Sequence, residues 1–453
     1  MVTQTPFVTL WMYLGEARDK RTREDLALLI EEFLKQRIEG LENEYGAKIT
    51  VAFPKLVLCL DKYLMSEEYA DLRRLAAECT SKRLVPDYVS EKVMKEEKIN
   101  KFGKGDVYQP MGCRSFLTPD TMTVGNIAKA KNYREDKGKY AGRYNVGVSS
   151  LNLALIAMKS KNIKDFYKLL KHYAEKAHKM QKVRAERLSA TKAEVAPILW
   201  QHGALARLDA DETLEKLVHN GYATSSLGYV GLYECTKALT GKNFWEDEET
   251  AKLAEDILKF LNSLCLEWRE EENIHYSLYG TPSESLAGKF AKACKREIGE
   301  DVFTKLDNRD RDYITNSCHI PVFVDIDAFE KLEKESTLQK LSPGGNIVYI
   351  ETPDMTKNLE AIEQVMQFIY DKCMYAEINT ETSYCANCGA FNSVKLMGDR
   401  DNYKATCTHC GCNDENKISH AKRVCGYIGT YSNSAARSQD IHDRVKHLDN
   451  KDI

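Results

Sequence analysis

Two pairs of cysteines at CxxC spacing, Cys385 with Cys388 and Cys407 with Cys410, stand near the end of this 453-residue sequence. A tetrahedral zinc ion needs four soft ligands, and a CxxC turn aims two sulfurs at one point, so two such turns make one site. The eighteen residues from Gly389 to Thr406 leave room for a short hairpin between the pairs, and a glycine follows each pair at Gly389 and Gly411. Cys385, Cys388, Cys407 and Cys410 are therefore expected to hold zinc, against the alternatives of reduced structural thiols or a disulfide staple. Cys412 lies outside the pattern and reads as a spare thiol. Ribbons of this type bind nucleic acid or partners in some proteins and simply hold a chain terminus in others.

The other candidates sit in short segments rich in glycine, proline and polar residues. Pro110 to Phe116 places Cys113 between Gly112 and Arg114, in a loop that could expose a thiol inside a cavity. Gly142 to Gly147 offers the amide of Asn145, and Tyr279 to Glu284 offers a carboxylate. Taken singly, a lone cysteine is more often structural than reactive, and both polar segments read as ordinary turns.

Alternating helices and strands must position these loops. Phe166, Leu169, Leu170, Tyr173, Ala177 and Met180 recur at helical spacing, which predicts a long helix over 163–188. Leu359, Ile362, Val365, Met366 and Ile369 predict a second over 357–371, started by turn residues around Pro353 and Asp354. The apolar runs Lys55 to Leu60, Val146 to Val148 and Ile347 to Ile350 predict buried strands of a largely parallel sheet, hence an α/β architecture. The apolar stripes on the helices are core, and no function is assigned to them.

Composition removes several classes. Balanced charge, with 65 Lys and Arg against 68 Asp and Glu and a net charge of -3, leaves no broad basic footprint for nucleic acid. No long apolar run or secretory segment is visible, so no membrane association is expected. Fourteen cysteines scattered through an ordinary composition suit a reducing cytoplasm better than a disulfide scaffold. The only boundary suggested is near residue 380, separating an α/β portion, 1–380 with a finger loop near 110–117, from a metal-binding C-terminal domain, 381–453.

Taken together, Pro110 to Leu117, Gly142 to Leu153, Ser226 to Gly231, Tyr279 to Glu284, Thr315 to Ser317, the double CxxC and Arg423-Val424-Cys425-Gly426-Tyr427-Ile428-Gly429 resemble the anaerobic, class III ribonucleoside-triphosphate reductases in order and spacing. The resemblance runs from Thr5-Pro6-Phe7-Val8-Thr9 to Arg444-Val445-Lys446-His447-Leu448, and the seven-residue loop around Gly426 is its most specific part. It implies an incomplete ten-stranded glycyl-radical-enzyme α/β barrel with a C-terminal zinc-ribbon and radical-loop domain.

The resemblance also implies roles. Gly426 matches the glycine that stores the radical, and Cys113 the cysteine whose thiyl abstracts the ribose 3′ hydrogen. Glu284 matches the carboxylate acting on the 3′-hydroxyl, Asn145 an amide on the 2′ side, and Met111 a methionine beside the thiyl. A buried, partly desolvated Glu284 would serve as that base. Tyr279, Asn316 and Ser317 are expected to line the sugar or phosphate region, the latter two near a helix N-terminus. Cys425 reads as packing. Met111 together with Glu284 places the chain in the branch that uses formate as reductant. With no CxxxCxxC run present, a separate radical-S-adenosylmethionine iron–sulfur activase is implied, along with a ribonucleoside triphosphate substrate and a dimeric assembly.

One departure stands out: Cys113 follows Met1 by only 112 residues, which leaves no sequence for the family's regulatory cone and much of its first half-barrel. Cys59 lies on a strand but its context does not match the family's second redox cysteine. The expectation is the C-terminal part of a split reductase, completed by a separately encoded N-terminal polypeptide, with a truncated inactive remnant as the rival. A lyase-type glycyl radical enzyme would share Gly426 and a loop cysteine, but normally carries two adjacent cysteines. A zinc-ribbon binding protein would leave Cys113, Asn145, Glu284 and Gly426 unexplained. Gly426→Ala is expected to abolish the radical and leave the fold intact.

Overall fold

Alternation of side chains along buried strands decides what this chain encloses. A computed structural model describes residues 8–100, 107–118, 142–398, 403–423, 426, 428–429 and 435–448. Cys425, expected to pack beside Gly426, lies outside the described residues. The strands that matter are β1 (Thr9–Met12), β2 (Lys55–Leu60), β3 (Asp87–Ser90), β4 (Tyr144–Asn152), β5 (Ala223–Val230), β6 (His275–Gly280), β7 (Val348–Glu351) and β8 (Tyr375–Asn379). They form a five-stranded sheet in the order β1-β2-β3-β8-β7 and a three-stranded sheet β4-β5-β6. Every pairing is parallel except that of β3 with β8, which runs antiparallel. The largely parallel sheet expected from the apolar runs is thus divided in two, and strands β1, β2 and β3 precede the Cys113 loop.

Strands β2, β5 and β6 are buried along their whole length, as parallel strands covered on both faces must be. On β2 the period of two sends Leu56, Leu58 and Leu60 outward into a core with Ile30, Leu34, Ala76, Ile362, Val365 and Ile369. Lys55, Val57 and Cys59 take the opposite face, where Val57 and Cys59 meet Val89, Tyr375, Tyr108 and Phe116. The finger loop therefore lies against the inner face of the five-stranded sheet.

Helices cover the outside. The helix predicted over 163–188 is found as Ile163–Ser189, with the Asn162 side chain accepting from Asp165 N at its start. Together with the helix Glu248–Glu272 it covers the outer face of β5 and β6, through Phe166, Leu170, Ile257, Leu261 and Trp268. The second predicted helix is Leu359–Lys372, and its cap is Asn358 rather than Pro353 or Asp354. Asp354 instead accepts from Asn392 Nδ2 at 2.7 Å, tying the cysteine ribbon to the barrel.

The ribbon carries its own small core of Cys385, Val394, Cys407 and Ile418. Beyond it the chain returns: Ala421, Ile428 and Leu448 join the same outer core as Leu56 and Ile350. Among the described residues no helix is long and apolar enough to cross a membrane.

Candidate active site and metal centre

The finger loop owes its shape to two backbone hydrogen bonds. Met111 and Ser115 bond each other reciprocally at 2.7 and 3.1 Å, and Gly112 supplies the φ of +56° that lets so short a loop turn. This leaves Cys113 at the tip. The loop is seated by the Phe116 amide donating to Gly344 O at 2.8 Å, and by Gly345, where an added Cβ would lie 1.9 Å from Arg114 O.

Against that tip sits Gly426. A Cβ built on Gly426 would stand 3.0 Å from Cys113 Cβ and 3.4 Å from Ile347 Cδ1, and its φ is +117°. Both conditions select glycine: the conformation is one that side chains rarely adopt, and the space is filled by the cysteine. Residues 313 positions apart are therefore packed so closely that no side chain fits between them.

Cys113 Sγ lies 3.7 Å from Glu284 Oε1. Burial pushes the Cys113 thiol up to about 11, Glu284 adds to the shift, and Lys55 opposes it. The sulfur thus keeps its hydrogen at neutral pH. Glu284, the first residue of the helix Glu284–Ile298, is half-buried rather than buried as expected, so its carboxylate reaches both the thiol and open space. Its turn is held from below, where Asn316 Oδ1 accepts from Ser283 N at 3.2 Å and Ser283 Oγ at 3.0 Å.

The other expected residues fall around this centre. Asn145 occupies a bulge in β4, its Oδ1 accepting from Gly147 N at 2.8 Å. Its Nδ2 donates to Ser226 Oγ at 2.6 Å and to Ser115 Oγ at 3.2 Å, two residues from Cys113. Met111 closes the finger loop. Tyr279 is buried on β6, its phenol pushed up by burial, with Arg114, Cys113 and Glu284 the titratable neighbours that act on it. Asn316 stands by a helix N-terminus as expected, and its Nδ2 is a buried donor with no hydrogen-bond partner among the described residues. Ser317 is fully buried and bonds Asn316 and His319, so it holds Asn316 rather than facing open space.

The four cysteines of the ribbon converge as predicted, with all ligand sulfurs within 4.8 Å of one another. Cys385 Sγ to Cys410 Sγ and Cys388 Sγ to Cys407 Sγ are each 3.7 Å. A Zn–S bond of about 2.3 Å gives a tetrahedron with an S···S edge of about 3.8 Å, so the cluster fits that ion. The two knuckles match: Gly389 N bonds Cys385 O and Gly411 N bonds Cys407 O, both at 2.8 Å, and these glycines have φ of +72° and +74°. Cys412 stays outside the cluster.

A polar network beneath Gly426 escaped the sequence reading. Lys55, Asp87, Tyr375 and Glu377 project from the inner face of β2, β3 and β8, and Arg423 from the strand leading to the glycine. The available signal was a lysine at the head of a wholly apolar run, Lys55-Leu56-Val57-Leu58-Cys59-Leu60, and a glutamate inside Tyr375-Ala376-Glu377-Ile378.

Comparison with known proteins agrees with this geometry. The family model described as anaerobic ribonucleoside-triphosphate reductase matches residues 2–447. The anaerobic ribonucleoside-triphosphate reductase of Haemophilus influenzae is 36% identical over 458 residues, covering 98% of this chain and 59% of the relative. That of Escherichia coli K12 is 34% identical, covering 99% and 60%, and that of enterobacteria phage T4 is 33% identical, covering 98% and 68%. The chain thus spans about 60% of the length of the first two relatives. Among solved structures, an anaerobic ribonucleotide reductase aligns with a TM-score of 0.62 at 16% identity, over 98% of this chain and 64% of that one. A glycyl radical enzyme from Archaeoglobus fulgidus aligns with a TM-score of 0.57 at 9% identity, over 97% and 57%, which shows the shared α/β fold. The chain belongs to the anaerobic ribonucleoside-triphosphate reductase family.

Proposed function

We propose that this chain carries out the radical steps in the reduction of ribonucleoside triphosphates to 2′-deoxyribonucleoside triphosphates, with formate as reductant. The close approach of Gly426 to Cys113, whose Sγ lies 3.7 Å from Glu284 Oε1, is the observation that supports this most. A radical stored at Gly426 Cα is flattened and shared between an amide nitrogen and a carbonyl, which a side chain would obstruct. Cys113 gives its S–H hydrogen atom to that carbon, and the thiyl formed takes the 3′ hydrogen of the ribose. Glu284 accepts the 3′-hydroxyl proton while the 2′-hydroxyl leaves as water, and Asn145 holds the 2′ side. Formate supplies two electrons and leaves as carbon dioxide. The sum is ribonucleotide, formate and a proton giving deoxyribonucleotide, carbon dioxide and water, with the hydrogen atoms of Cys113 and Gly426 restored.

The unpaired Nδ2 of Asn316, together with Tyr279, supports substrate contact beside Glu284, and Ser317 sets Asn316. The four cysteines hold zinc in a closed site with no open position, which suits a structural ion bracing the segment that leads to Gly426. A separate iron–sulfur activase installs the radical, and the enzyme works in the cytoplasm. Anaerobic turnover with carbon-13 formate tests the reading: labelled carbon dioxide should appear in equal amount to deoxyribonucleotide, and neither should form with Cys113→Ser or Glu284→Gln. Deoxyribonucleotide formed without formate oxidation would overturn the choice of reductant, and undiminished turnover by Cys113→Ser would overturn the mechanism.

A further inference from the structure

Lys55 joins the two loops that carry the reacting atoms. Its ammonium has three hydrogens, and three acceptors surround it: Gly426 O at 2.6 Å, Cys113 O at 2.7 Å and Asp87 Oδ2 at 2.8 Å. The side chain is 4% exposed. Asp87 is shared further, taking the Tyr375 hydroxyl at 2.7 Å and the Arg423 guanidinium at 2.7 Å, and Arg423 reaches Glu377 at 3.4 Å. Tyr375 also approaches Cys113 O at 3.3 Å. Two buried cations thus face two buried carboxyl groups directly under the glycine.

Buried ion pairs of this kind are weak evidence for stability, which leaves the geometry they fix as what the network contributes here. Here the geometry specified is the approach of Gly426 to the cysteine at the tip of the finger loop. The network holds the radical loop through Arg423 and Gly426 O and the finger loop through Cys113 O, and it bonds neither reacting atom. It also bears on the electronic structure. The carbonyl of residue 426 is the electron-withdrawing half of the pair over which a radical at its Cα is spread, and a cation donating to that oxygen strengthens the withdrawal.

We propose that Lys55 is a positioning residue for the radical relay: it clamps Gly426 against Cys113 and, through the Gly426 carbonyl, sets the spin distribution of the stored radical. This rests on the function proposed above. The hydrogen atom that moves between Cys113 Sγ and Gly426 Cα never passes through Lys55.

The test needs no substitution. In the full chain labelled with nitrogen-15 at lysine Nζ and activated anaerobically, electron–nuclear double resonance on the radical should show a nitrogen-15 coupling. A glycine-centred radical lacking that coupling overturns this inference alone, whereas absence of any glycine-centred radical overturns the function on which it rests. As a second arm, Lys55→Met combined with Asp87→Asn removes one charge of each sign. Turnover should fall roughly 100-fold with nucleotide KM changed by less than about threefold, since the loss is of alignment and not of substrate binding. The line shape of any radical formed should change, and Lys55→Arg should recover part of the turnover. Wild-type line shape and turnover in the double variant would overturn the role.

Discussion

Gly426→Ala is the substitution that would conventionally be made to remove a glycyl radical, and the structure predicts that it does more than that. Holding a side-chain-bearing residue at the observed φ of +117° costs about 1–3 kcal/mol. The new Cβ would meet Cys113 Cβ at 3.0 Å and Ile347 Cδ1 at 3.4 Å, and overpacking of this kind costs about 1–3 kcal/mol more. The total of about 2–6 kcal/mol acts on docking of the loop, shifting that equilibrium by roughly 30-fold to 10⁴-fold. The core around Leu227 lies elsewhere, and the core around Leu58 draws most of its residues from other segments with Ala421 and Ile428 at its margin, so global unfolding should move little while the loop loosens. An intact fold is therefore predicted for the barrel and a loosened one for the loop. Hydrogen exchange of amides around 423–429, wild type against variant, should show faster exchange there and unchanged protection in β5 and β6. Adding Cys113→Gly should recover the share due to overlap and leave the share due to φ. Unchanged exchange around 426 in Gly426→Ala would refute the close approach on which this rests.

Further outcomes are expected. The purified chain should bind one zinc per molecule, and Cys407→Ser or a strong chelator should expose the ribbon to protease near 385–419 with the helical circular dichroism kept; protease resistance without metal would contradict a zinc-held ribbon. Because burial lifts the Cys113 thiol to about 11, its alkylation rate should climb about tenfold per pH unit from pH 7 to beyond 9 without levelling, whereas a plateau near 8.5 would mean an ordinary thiol. His447, which accepts from Glu351 N at 2.8 Å, is held down to about 2, first by burial and then by Lys331, Lys446 and Arg444. A depressed value contributes stability that is full above the ordinary 6.5 and is lost as pH falls toward the folded value. Resistance to urea should therefore fall from about pH 6.5 downward. His447→Asn should flatten that slope, and an unaltered slope would contradict the assignment.

What was legible in the sequence was what is local in it. Ligand spacing alone marked the four-cysteine cluster, because each knuckle is closed by a turn within its own residues. Lys55 to Leu60 and 163–188 were found nearly to the residue, since period and burial coincide there. The helix start at Asn358 was missed because Asp354 is a turn former too, and its side chain is spent on Asn392 and Thr356. Cys113, Glu284 and Gly426 could be grouped only through resemblance, and their contact depends on strand order. The Lys55 network was hidden for the same reason: residues 55, 87, 375, 377 and 423 meet because β2, β3 and β8 are neighbours and their alternating side chains share one face, which no window of sequence reveals.

The link from Gly426 to Cys113 can be tested most directly by electron paramagnetic resonance of the anaerobically activated chain grown on glycine deuterated at its α-carbon, beside Cys113→Ser. The predicted result is a doublet in unlabelled protein that collapses on deuteration and persists in Cys113→Ser, while that variant makes no deoxyribonucleotide. A signal indifferent to deuterated glycine, or turnover surviving without the Cys113 sulfur, would contradict the relay.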